Sequence, residues 1–142
     1  MAAFQKFNSF VEAVAESKHN LGSDTLKVIL SNSAPSPTDN ILTDIAEIDA
    51  GNGYVKGGNT ASVVSSAQTG GIYKLVLSDP STWKAVGGDI SPFRYAVLYN
   101  TSAANNELVG FWDYGSSVNL AQGDSFTVDF DPSAGVLTIL SL

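Results

Sequence analysis

Apolar and polar positions recur along this chain with a period that predicts strands far more often than helices. The densest apolar stretch runs from Phe93 to Tyr114 and divides into Phe93–Asn100 and Leu108–Tyr114, joined by the polar segment 101–107. A strand with one wet face alternates. Here Phe93, Tyr95, Val97 and Tyr99 fall on one face and Ala96 and Leu98 on the other, so both faces are apolar. The pair is predicted to form a hairpin in the middle of a sheet covered by a second layer.

The N-terminal stretch has a different period. Phe4, Phe7, Val11 and Val14 are spaced as on one face of a helix, with Phe10 at its flank. Ser9 and Glu12 have capping-box spacing, Lys18 and His19 suit the negative end of a helix dipole, and Gly22 suits a left-handed cap. A helix over 7–18 is predicted. Its Phe-rich stripe must cover either the open end of its own sheet or a neighbouring subunit.

The rest of the chain reads as strands and turns. Leu26–Leu30 is a strand, 33–40 a surface loop, and Ile41, Ile45 and Ile48 mark a short turn or irregular crossing. Tyr54–Val64, with Gly57-Gly58, suits a bulged strand, and Thr69-Gly70-Gly71 closes a hairpin onto Ile72–Leu77. After Tyr114, Gly115-Ser116-Ser117 turns the chain into a short strand, Val118–Leu120. Phe126, Val128 and Phe130 then alternate with polar residues, and Val136–Leu140 is an apolar terminal strand. Strands about every 10 residues, punctuated by Gly and Pro, predict an all-β fold: an antiparallel β-sandwich, jelly-roll-like or immunoglobulin-like, with one N-terminal α-helix. The 142 residues suit a single domain, 1–142, with the sandwich over about 24–142.

Composition narrows the function classes. Seven basic residues against fourteen acidic give a net charge of -7, and the pI is near 4.3. Such a balance argues against a phosphate backbone as partner, so no nucleic acid is expected. Zero cysteines exclude disulfides and thiolate metal sites. No apolar run approaches the ~20 residues of a membrane span, and no leader is legible, so a cytoplasmic origin and no membrane partner are expected. Charged residues are 15%, below the ~25% of ordinary soluble domains. The weakly hydrated surface this implies suits contact with another protein.

Candidate chemistry is sparse, and neither an enzyme nor a cofactor is expected. Asp129, Asp131 and Ser133 have the start of a calcium-loop spacing, but Ala134 and Leu140 stand where that loop needs Gly and a bidentate Glu, so turn chemistry is the better account. His19 is the only histidine, which rules out a histidine triad or multi-histidine site within one chain. It reads as a cation at the helix end. Trp83, Trp112 and five tyrosines would suit a sugar-stacking platform or a core. Trp112, in mid-strand, is assigned to the core, and Trp83, in a connection, to the surface. Arg94, the sole arginine, needs a solvated strand end or an ion pair with another subunit. The candidate interface is therefore Phe4, Phe7, Val11, Val14, Trp83 and Arg94. Asn100-Thr101-Ser102 has the form of a glycosylation acceptor but lacks a secretory context.

The order of these segments resembles a family of small bacteriophage virion proteins. The resemblance is carried by the leading helix, Leu26–Pro35 with its Ser-Ala-Pro loop, the acidic turn entering Gly53-Tyr54, the aromatic pair Arg94–Tyr99 and Leu108–Tyr114, and the closing pair Gly123–Val128 and Gly135–Ile139. Many relatives carry Arg two positions after the Gly-Tyr pair, where this chain has Lys56. The resemblance implies a capsid decoration or cement protein on the virion surface, made in the host cytoplasm, with the major capsid protein and its own copies (dimer or trimer) as partners. The alternative it implies is a tail-fibre or tail-tip module that binds host-surface glycan.

Overall fold

The computed structural model describes residues 2–140 and shows an all-β, sandwich-like fold with a single α-helix. The strands are β1 (Phe4–Lys6), β2 (Leu26–Ser31), β3 (Asn59–Ala61), β4 (Val63–Thr69), β5 (Ile72–Leu77), β6 (Trp83–Lys84), β7 (Ile90–Asn100), β8 (Leu108–Leu120), β9 (Ser125–Phe126) and β10 (Leu137–Leu140). The helix α1 spans Ser9–Ala15. One sheet has five antiparallel strands in the order β1-β8-β7-β2-β3. A three-stranded sheet, β10-β5-β4, and a two-stranded one, β6-β9, supply the opposing layer.

The predicted hairpin, β7 with β8, lies inside the five-stranded sheet, and both its faces are covered. On the inner face Leu26, Val28 and Leu30 of β2, Leu98 of β7 and Val109 of β8 meet Leu75 and Leu77 of β5, Leu137 of β10 and Trp83 of β6. On the outer face Ile29, Tyr95, Val97, Leu108 and Phe111 are capped by Phe7 and by Ile45 and Leu42 of the crossing segment, which holds a 3-10 turn at Leu42–Asp44. Consecutive residues of β2 and β7 thus face different apolar layers, which is why these strands read as continuous apolar runs. Phe93 departs from the predicted face. Register shifts on either side of it turn its ring into the inner core, while Tyr95 and Val97 point out.

The predicted 7–18 helix is shorter, and its stripe is divided. Phe4–Lys6 pairs with the edge of β8, Phe4 opposite Trp112, so the first two stripe positions belong to a strand and its exit. Asn8 precedes the helix without a side-chain cap. At the other end Ser17 takes the left-handed conformation (φ 62°) foreseen for Gly22. Lys18 N then donates to Ala13 O at 2.8 Å, closing a Schellman-type terminus. Lys18 and His19 therefore lie beyond the helix.

Several turns follow the predicted chemistry. Thr69 pairs with Ile72 across Gly70 and Gly71, both at positive φ (59° and 82°) as a tight two-residue hairpin turn requires. The stretch predicted as one bulged strand divides into a turn at Tyr54 and strands β3 and β4, and the bulge falls between Val63 and Ser65. The turn expected at 115–117 is instead a wide bulge in a continuous β8. Asp113 pairs with Tyr95 and Val118 with Phe93, so residues 114–117 oppose Arg94 alone. Of the 126–130 segment only Phe126 is paired, opposite Trp83 of β6. Phe126, Val128 and Phe130 nevertheless all turn inward, as their alternation predicts.

Candidate functional site: an aromatic cleft and an exposed apolar face

A row of side chains crosses four strands of the large sheet. Leu30 stands opposite Ala96, Ala96 opposite Trp112, and Trp112 opposite Phe4. Ala96 is the small member, and the space above it is not refilled by the 126–130 segment lying over the row. The result is a cleft of about 350 Å³ with Ala96 and Leu30 at its floor and Phe93, Trp112, Phe126 and Phe130 in its walls. Phe130 stacks on Trp112 (centroids 5.3 Å) and Phe4 approaches the same ring at 4.7 Å. Phe126 meets Phe93 edge-on at 4.9 Å. Tyr114 and Asp129 also line the cleft, and Tyr114 is 61% exposed. Its volume and apolar lining are those of a small-ligand pocket.

A second surface is formed by α1 and β10. Val11 and Val14 of α1, with Ile139 and Leu140 of β10, line a groove of about 360 Å³. Val11 is 67% exposed and Leu140 57%. Ile72, paired opposite Leu140 and itself exposed, extends the face onto β5. Lys6 Nζ donates to Thr138 O at 2.8 Å and ties the edge of the large sheet to the edge strand β10. An apolar face assembled from both ends of the chain is the type of surface that marks an interaction site.

The six candidate interface residues separate on this framework. Val11 and Val14 sit on the exposed face. Phe7 is 1% exposed and packs on Phe111 at 5.1 Å, so it is spent inside the protein. Phe4 is half-buried over Trp112 and roofs Gly110, where a Cβ would lie 2.2 Å from its ring. Trp83, assigned to the surface, is 1% exposed in the inner core between Tyr54 and Phe126. Its connection contains the short strand β6, which pairs with β9 and carries the indole inward. Trp112, assigned to the core, is only partly buried. Arg94 finds its partner in its own chain: Nε and Nη2 donate to the Asp113 carboxylate at 2.7 and 3.0 Å. The hydrogen bonds from Arg94 hold the Asp113 carboxyl below the usual carboxylate range, and the same pairing raises Arg94. The wide bulge in β8 makes this pair, since Asp113 is the last residue before it.

The Gly-Tyr segment is a structural clamp. Tyr54 Oη donates to Glu47 Oε2 at 2.7 Å and accepts from Leu30 N at 3.2 Å. Glu47 Oε2 also accepts from Gly57 N at 2.7 Å, and Tyr99 Oη donates to Gly57 O at 2.8 Å. Burial raises the Tyr54 hydroxyl far above its ordinary value, with Glu47 adding to the effect. Lys56 Nζ reaches only the Glu47 carbonyl, at 3.4 Å. At Asp131, Oδ1 accepts from Ser133 N (2.7 Å) and Ala134 N (3.0 Å), bonds that lower its pKa and make the predicted turn. Among the described residues no three His, Cys, Asp or Glu side chains gather as a metal site would need. Likewise, no helix among them is long and apolar enough to cross a membrane. His19, expected as a cation at the helix end, is buried beyond the helix against Asn100.

Comparison of the chain with protein-family models, with curated proteins and with solved structures finds no match.

Proposed function

We propose that this chain is a non-enzymatic structural protein of a bacteriophage virion, a decoration protein that sits on the capsid surface and cements neighbouring major capsid subunits. The observation that supports the reading is the apolar face formed by Val11, Val14, Ile72, Ile139 and Leu140. Val11, Ile72, Ile139 and Leu140 are exposed, and the half-buried Val14 joins them to the core beneath. A surface of this kind gains free energy when a partner removes it from water, by about 25 cal/mol for each Å² of apolar area covered. A charged content of only 15% lowers the desolvation cost of lying against another protein. The ordered segments that resemble small virion proteins supply the partner, the major capsid protein, and the location, the capsid surface. Self-association as a dimer or trimer would use the same face.

The test is binding of the purified protein to undecorated capsids, together with light scattering after size exclusion. Val11→Asp and Leu140→Asp are exposed changes that should leave the thermal melt unchanged and weaken capsid attachment at least tenfold, the effect of losing about 1.4 kcal/mol. Undiminished attachment of both variants would remove this face from the reading. Mass spectrometry of virions separated into heads and tails tests the location.

The aromatic cleft favours a second reading, a tail-fibre or tail-tip module for host-surface glycan. Tyr114 and the half-buried Trp112 stand beside one cleft, where a sugar ring would find an aromatic surface. Tyr114→Ala would then abolish retention on host glycan while leaving capsid binding untouched.

A further inference from the structure

We propose that His19 and Asn100 form a pH-sensitive latch between the segment following α1 and the β7–β8 loop, closed while the His19 ring is neutral and opened by proton uptake at its Nδ1.

The geometry starts at Asn100, the last residue of β7, whose side chain is held by four contacts. Its Oδ1 accepts from Ser102 N at 2.9 Å and from Ala103 N at 3.2 Å, which shapes the start of the loop. Its Nδ2 carries two hydrogens. One goes to Asp24 Oδ2 at 2.6 Å and the other faces His19 Nδ1 at 3.0 Å. Reversing the amide would lose the first three bonds, so the orientation is over-determined. His19 Nδ1 must therefore accept. A ring accepting at Nδ1 carries its one proton on Nε2 and is neutral.

Protonation at Nδ1 would set two donors face to face at 3.0 Å. Relief requires either that Asn100 turn, releasing Ser102, Ala103 and Asp24, or that the ring leave its site. Each route loosens both sides of the latch. On one side the ring lies 5.5 Å from Phe10, a buried residue of α1. On the other, the loop is also tied to residue 25, through Thr25 N to Ser102 Oγ at 2.9 Å and Thr101 N to Thr25 O at 3.0 Å. The surrounding groups set the balance. Burial lowers the His19 pKa below its ordinary value, while the carboxylates of Glu107 and Asp24 and the Leu108 carbonyl oppose it. Lys18 precedes the ring in sequence, and the Tyr73 hydroxyl lies across the adjoining groove, bonded to Ser66. His19 Nε2 is buried and makes no hydrogen bond of normal geometry among the described residues, the Leu108 carbonyl being its backbone neighbour.

The sign follows from the lowered value. The folded protein binds this proton less well than the unfolded chain, so the latch is fully effective above about pH 6.5 and is lost as pH falls through the folded value. Because His19 is the only histidine, its ring resonances need no assignment. NMR of labelled protein from pH 8 to 5 should show the Nε2–H tautomer at the alkaline end and a midpoint below 6.5. The Asn100 side-chain amide should move with the same midpoint. Exchange of the Ser102 and Ala103 amides, corrected for intrinsic rate, should rise as pH falls through the same midpoint. His19→Gln should remove this pH dependence. A midpoint at or above 6.5, a titration that leaves Asn100 and the loop unmoved, or the same pH dependence in His19→Gln would each overturn the proposal. Should His19→Gln not fold, the tautomer and the coincident midpoints of the unaltered protein decide.

Discussion

Replacing Trp83 by Ala tests the inner core at its largest fully buried side chain. The indole lies between Tyr54, stacked at 6.5 Å, and Phe126, at 6.4 Å, and it forms the cross-strand pair that joins β6 to β9. Truncation removes the transfer free energy of the ring and leaves a cavity, together about 3 to 5 kcal/mol for a buried aromatic. At about 2.1 cal/mol/K per residue, unfolding entropy for this chain is about 0.3 kcal/mol/K, so Tm should fall by about 10 to 17 °C. Its Nε1 is buried without a hydrogen-bond partner among the described residues, so Trp83→Phe removes a desolvated donor along with ring volume and should cost well under half as much. Trp112→Ala should be milder than Trp83→Ala, because that ring is already half open to the cleft. Thermal melts and urea titrations of the three variants measure the order. A small loss for Trp83→Ala beside a large one for Trp112→Ala would refute the placement of both rings and the sheet pairing that carries them.

Three further outcomes are expected. Glu47→Ala leaves the Tyr54 hydroxyl and the Gly57 amide without their acceptor and should cost about 2 to 3 kcal/mol by urea denaturation, more than Tyr54→Phe. Gly58→Ala should cost more than about 2 kcal/mol: Gly58 sits at φ 73°, where a side chain is strained by about 1 to 2 kcal/mol, and its Cβ would fall 1.8 Å from Val28 O. Melts with EDTA and with excess calcium should coincide, since Asp131 Oδ1 already accepts from two backbone amides; a calcium-dependent rise of several degrees would reveal a site there.

What was legible in the sequence follows from range. The hairpin β7–β8 could be read because a strand covered on both faces must be apolar at nearly every position, and that is a property of consecutive residues. The Gly70-Gly71 turn was legible for the same local reason. The helix was misread because a three- or four-residue period in the first dozen residues cannot distinguish a helical stripe from a strand followed by a short helix. Phe4 and Phe7 are apolar because of Trp112, Gly110 and Phe111, more than a hundred residues away. Trp83 was misplaced by a similar omission, since a two-residue strand such as β6 has no periodicity of its own and exists only through β9.

The candidate site was less legible than the fold because it depends on what is missing. Ala96 looks like an ordinary strand residue until the register sets it between Leu30 and Trp112, where its small size opens the cleft. The exposed face joins α1 to β10, a juxtaposition that only the packed molecule defines, although Val11 and Val14 were marked by their helical spacing with Phe4 and Phe7. His19 shows the reverse case. Next to Lys18 the chain's one imidazole reads as a cation at a helix end, yet it is buried against Phe10 and Asn100. The exposed face and the latch adjoin, since Val14 and Ile139 line both the apolar groove and the one beside His19, so their independence is itself testable. Val11→Asp should alter attachment without altering the His19 titration, and His19→Gln should alter pH dependence without altering attachment at pH 8. Loss of both properties in either variant would show that α1 couples them, through Phe10 on its buried side and Val11 on its exposed one.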